Sequence, residues 1–73
     1  MRDPSRIRPF AARIADGWSK MPEQRFGQLM LNFFHWLDTQ NQDPFYMEDG
    51  ELLKKYEEYI SIFTDYRAPD IRA

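Results

Sequence analysis

A chain of 73 residues with no cysteine, one histidine and a net charge of −2 makes one small domain. Disulfides and thiolate metal sites are excluded, no apolar run reaches the length of a membrane span, and an acidic total argues against strong non-specific nucleic-acid binding. A domain this small buries only about 60–65% of its unfolded surface, so its six Phe, four Tyr and two Trp must serve as core or as contact surface.

The first element opens at Asp3-Pro4, a good N-cap followed by a residue suited to the first helical position. Ile7, Phe10, Ala11, Ile14, Ala15 and Trp18 then recur at three- and four-residue spacing, one helical face from about residue 4 to 19. Pro9 conflicts with a continuous helix, because it removes a hydrogen bond and crowds the carbonyl of Ser5. The expectation is an irregularity there, and Gly17 weakens the far end. Met21-Pro22 lies in the first connection. A second helix starts between Pro22 and Gln24 and runs to about Gln40, with Pro44 as a firm stop.

A third helix opens after "FYMEDGELL". Glu48 stands at the cap position, Met47 and Leu52 occupy the positions of a hydrophobic staple, and acidic side chains suit the helix dipole. Its stripe is Leu52, Leu53, Tyr56, Tyr59, Ile60 and Phe63. Glu51–Lys55 and Lys54–Glu58 have the spacing of i,i+4 pairs. Residues 1–65 are therefore read as an all-α three-helix domain, a bundle or an orthogonal array, and 66–73 as a loose tail without periodicity. The core is expected to hold Phe10, Ile14, Trp18, Phe26, Leu29, Phe33, Leu37, Leu53, Tyr56 and Ile60.

Charge is unevenly placed. Residues 1–25 carry six Arg/Lys against three Asp/Glu, and residues 26–73 carry four against nine. The two parts should attract each other within the fold.

The second helix raises the main functional question. Trp36, Leu29, Phe33, Phe26, Leu37 and Met30 fill an arc of about 120°, and Phe34 with Leu31 extends it by about 100°. Gly27 lies between those last two, where another backbone can approach closely. Two flanking helices, each with one apolar stripe, cannot cover all of this. Leu31 and Phe34 are then left for another protein chain, or for symmetry mates in a homodimer, since exposed apolar patches mark interaction sites. The alternative is internal burial by Tyr66 or Ile71 of the tail, or by Phe45 and Tyr46.

No residue pattern carries catalysis. His35 has no cysteine and no second histidine to complete a metal site. Asp43, Glu48, Asp49 and Glu51 lack the alternation of a calcium loop. Arg2, Arg6, Arg8 and Arg13 do not form the exposed basic and amide face of a recognition helix. The segment "MRDPSRIRPF" is not followed by an apolar stretch, so no signal peptide is expected, and the lack of cysteine fits a cytoplasmic setting.

"RDPSRI", "MPEQRFGQL" and "DPFYMED" together resemble a group of short bacterial and mobile-element proteins that share an RDPxRI start, an RFGQL segment and an acidic stretch after DPFY. The resemblance spans Arg2 to about Leu53. Pro9 departs from the group's pattern. The likeness implies a freestanding small protein, carried by phages or other mobile elements, and brings no functional residue with it.

The expected function is a non-enzymatic, cofactor-free protein-binding module that occupies a partner surface through Leu31, Phe34, Phe45, Tyr46, Glu57 and Glu58. Two alternatives stand beside it. One is a mobile-element inhibitor that places the acidic third helix in the basic site of a host nucleic-acid enzyme. The other is a small DNA-associated regulator using the Arg-rich first helix.

Overall fold

The computed structural model describes the backbone of residues 2–71 and the side chains of residues 2–64. It is all-α. Three helices, α1 (Ile7–Trp18), α2 (Phe26–Thr39) and α3 (Asp49–Ile71), are preceded or joined by two 3₁₀ turns at Pro4–Arg6 and Pro44–Tyr46.

The two turns share one construction. Asp3 accepts a hydrogen bond from the N–H of Ser5, Asp43 accepts one from the N–H of Phe45, both at 2.9 Å, and a proline follows each aspartate. The conflict at Pro9 is resolved by the first turn. Because α1 begins only at Ile7, Pro9 falls in its first helical turn, where backbone N–H groups have no intrahelical acceptor. The second helix starts later than its sequence suggested, at Phe26. There the Gln28 side chain reaches back to accept from the N–H of Arg25 at 2.9 Å.

Contacts set the direction of each helix. The pairs Arg2–Glu48, Arg6–Asp49 and Arg13–Glu57 ascend together, so α1 and α3 run parallel. The Lys55 ammonium reaches the Gln40 side chain while Phe33 meets Tyr59, so α2 runs antiparallel to α3. The result is an up-down-up three-helix bundle. The expected attraction between the basic front and acidic rear is visible as those three ion pairs.

The core is Met21, Leu29, Phe33, Leu37, Leu53, Tyr56, Tyr59 and Ile60, all buried. Phe33 is its aromatic centre, edge-on to Tyr56 at 5.4 Å and tilted against Tyr59 at 5.5 Å. Phe10, Ile14 and Trp18 pack against it half-buried. Phe26, expected in the core, is instead 49% exposed. As the first residue of α2 it lies at the mouth of the α1–α2 interface and meets Trp18, at a ring separation of 5.4 Å. Met21 takes the buried place, drawn in by the tight turn in which its N–H donates to the Trp18 carbonyl.

The α3 helix continues to Ile71, beyond residue 65 where the sequence placed the end of the domain. The side chains of that stretch, Tyr66 and Ile71 among them, lie outside the described residues.

Candidate protein-docking face

The outer flank of α2 is built by helical spacing. Phe26, Met30 and Phe34 form one row at four-residue intervals, and Gly27 and Leu31 form the next. Leu31 is 56% exposed and Phe34 37%, so neither flanking helix covers them. The space beside Gly27 is open: a Cβ built there would meet nothing within 4 Å.

Between α1 and α2 this flank continues into an apolar groove of about 370 Å³ lined by Phe10, Ala11, Ile14, Ala15, Trp18 and Phe26. The two alanines keep the α1 wall low. Trp18 is fixed in this wall by its indole N–H, which donates to the Gln24 carbonyl at 2.8 Å.

At the other end of α2, Phe34 and Pro44 line one shallow depression with Asp38, Asn41, Gln42 and Asp43. Pro44 opens the aromatic turn. Phe45 and Tyr46 are 82% and 79% exposed and rest edge-to-face on each other, at a ring separation of 4.9 Å. They do not fold back over Leu31 and Phe34, so the expected alternative of internal burial by this pair is not what the chain adopts. The Asp43 cap explains this, because it sets the turn from the backbone and leaves both rings pointing to solvent.

The six expected docking residues therefore divide. Leu31 and Phe34 lie on one exposed flank, with Phe45 and Tyr46 on the turn beyond it. Glu57 does not stand free as an outward charge. Its carboxylate is held by the Arg13 guanidinium through two hydrogen bonds of 2.7 and 2.9 Å, which depress its pKa below the ordinary carboxylate range. Glu58 is exposed and lies 3.6 Å from Lys55, which turns to it and to Gln40. Phe26 and the groove beside it were missed by the sequence reading.

Electrostatically, the α3 start is also engaged. Glu48 pairs with Arg2 at 3.0 Å and Asp49 with Arg6 at 3.1 Å. The acidic start of α3 and the arginines of the chain's beginning thus largely neutralise one another.

A second depression of about 450 Å³ lies between α2 and α3, floored by Trp36, Tyr59 and Phe63. Two of its polar rim groups have partners within the fold: the Thr39 hydroxyl donates to the Trp36 carbonyl, and the Asn32 amide donates to the Gln24 side chain. Among the described residues no group of three His, Cys, Asp or Glu could hold a metal ion. No helix among them is long and apolar enough to cross a membrane. No family model, no curated protein and no solved structure matches the chain.

Proposed function

We propose that the domain is a non-enzymatic protein-binding module that lays the outer flank of α2 against another chain. The observation that carries this reading is the exposure of Phe26, Leu31 and Phe34 on one flank, with the Phe45–Tyr46 pair on the turn next to it. Leaving five large apolar side chains in water is costly for so small a domain, and covering them recovers roughly 25 cal/mol for each Å² removed from water. Aromatic anchors of this kind supply most of the energy of protein interfaces. The pairing of Arg2, Arg6 and Arg13 with Glu48, just before α3, and with Asp49 and Glu57 of α3 favours an apolar mode of recognition over one that relies on a charged helix. The lack of cysteine fits a reducing cytoplasm as its place of work.

The test is site-specific photo-crosslinking in the native cell. A probe at Leu31 or at Tyr46 should label the same discrete protein. Probes at Asp16 and Ser61, exposed on other faces, should leave it unlabelled. Equal labelling from all four positions would sink the proposal.

A further inference from the structure

We propose that the depression between α2 and α3 is a binding site for a small, uncharged, planar heteroaromatic molecule, with the Tyr59 hydroxyl as the donor that meets a ring acceptor. The site is separate from the docking face, because the α2 residues that line it are centred about 120° around the helix from Gly27, Leu31 and Phe34.

Helical spacing builds it. Asn32, His35, Trp36 and Thr39 stand at i, i+3, i+4 and i+7 along α2, and Tyr59 and Phe63 at i and i+4 along α3. The Trp36 and Phe63 rings tilt against Tyr59, at separations of 5.5 and 4.7 Å. Gln24, just before α2, is fixed in the lining. Its backbone carbonyl accepts from the Trp18 indole, and its side-chain carbonyl accepts from the Asn32 amide. A space of about 450 Å³ bounded by rings and a few polar groups has the size and make-up of a small-molecule site.

Tyr59 carries the assignment. It is only 5% exposed, and a phenol so deeply placed ordinarily has a hydrogen-bond partner. Tyr56, the other tyrosine of the core, has one in the Ile14 carbonyl. The Tyr59 hydroxyl has none among the described residues. Nor is it sealed in: among those residues, the fully enclosed side-chain oxygen left without a partner is that of Thr64. The Tyr59 oxygen therefore keeps its small exposure where the ring borders the depression, and its proton is available there. His35 on the rim is likewise without a partner, and its ring can donate to a ligand or accept from it. Among the described residues, no Asp, Glu, Lys or Arg lines the depression, which selects an uncharged molecule. The aromatic floor selects a flat one.

An amide NMR titration of the full chain tests this with two bicyclic probes. Quinoline carries a ring acceptor, and indole carries only a donor. Quinoline should shift the Asn32, His35 and Thr39 amides and the Trp36 indole N–H saturably, with a dissociation constant of about 1 mM or less. Tyr59→Phe keeps the ring and removes only the hydroxyl. It should weaken quinoline about threefold or more, the size of one neutral hydrogen bond, and leave indole binding unchanged. The melting temperature of free Tyr59→Phe should not fall, whereas that of Tyr56→Phe should. Quinoline shifts that do not saturate by about 10 mM overturn the site. So do shifts confined to Ala11, Ala15 and Gly27, which place the probe in the α1–α2 groove instead. Equal quinoline affinity in wild type and Tyr59→Phe overturns the assigned donor, and so does a lower melting temperature of the free variant, which would mean that the hydroxyl has a partner within the fold.

Discussion

The Tyr56 hydroxyl donates to the Ile14 carbonyl at 2.7 Å, and its ring lies against Gly17 so closely that a Cβ there would sit 2.6 Å from Cε2. The glycine read from sequence as a weak point of the first helix is thus the residue that lets α1 and α3 approach. Its spacing could be read along the chain, but the ring that needs it is 39 residues away, beyond any local pattern. Gly17→Ala should cost about 1–3 kcal/mol, because the buried ring has nowhere to retreat; chemical denaturation would show it. Burial also pushes the Tyr56 phenol up to about 12. A raised folded pKa favours the native state wherever the phenol is protonated. That contribution is fully present below pH 10 and is lost as pH rises from about 10 to 12, an effect of the order of 2 kcal/mol. Tyr56→Phe should therefore be less stable than wild type by about 1 kcal/mol at pH 8, where the hydrogen bond counts. The gap should close and then reverse as denaturation is repeated towards about pH 11.5, and an unchanging gap would show that the phenol does not titrate in this window.

At the scale of elements, local chemistry was legible and its endpoints were not. The three helices, the Asp3-Pro4 start and the Met47–Leu52 staple follow from spacing and caps, and Met47 and Leu52 are both half-buried as a staple requires. What spacing could not supply was where α2 starts. Placing it at Pro22 to Gln24 put Phe26 inside the helix and on its core arc. The actual start at Phe26 leaves that ring half-exposed against Trp18 and leaves residues 19–24 as turns that bury Met21. The second Asp-Pro turn was equally visible as a stop signal, but its effect on Phe45 and Tyr46 depends on a hydrogen bond from a backbone N–H. Asp43→Ala removes that acceptor. The expected outcome is a loss of about 1 kcal/mol in urea unfolding, with faster amide exchange confined to residues 45–47. A loss spread evenly over α2 and α3 would mean that the turn is held by packing instead.

For the molecule as a whole, the charge division between its two parts acts as a strap along α1 and α3. These pairs are solvent-exposed, so each adds little to stability and is weakened by salt. Their role is to fix which side of α3 faces α1, and Glu57→Lys, which sets a cation against Arg13, would disturb that alignment before it tested any docking role. The aromatic residues separate more sharply. Tyr59 is buried between Phe33, Trp36 and Phe63, with ring separations of 5.5, 5.5 and 4.7 Å. Tyr46 touches only Phe45 among the described ring contacts and is largely in water. The two tyrosines thus have opposite relations to the fold. Tyr59→Ala opens a cavity and should cost about 3–5 kcal/mol, enough to unfold much of so small a domain at 37 °C. Tyr46→Ala removes little beyond the contact with Phe45 and should change stability by less than about 0.5 kcal/mol while lowering partner capture. Thermal melts of the two variants side by side decide the matter. If Tyr46→Ala melts as early as Tyr59→Ala, the aromatic turn belongs to the core and the docking face shrinks to the α2 flank alone.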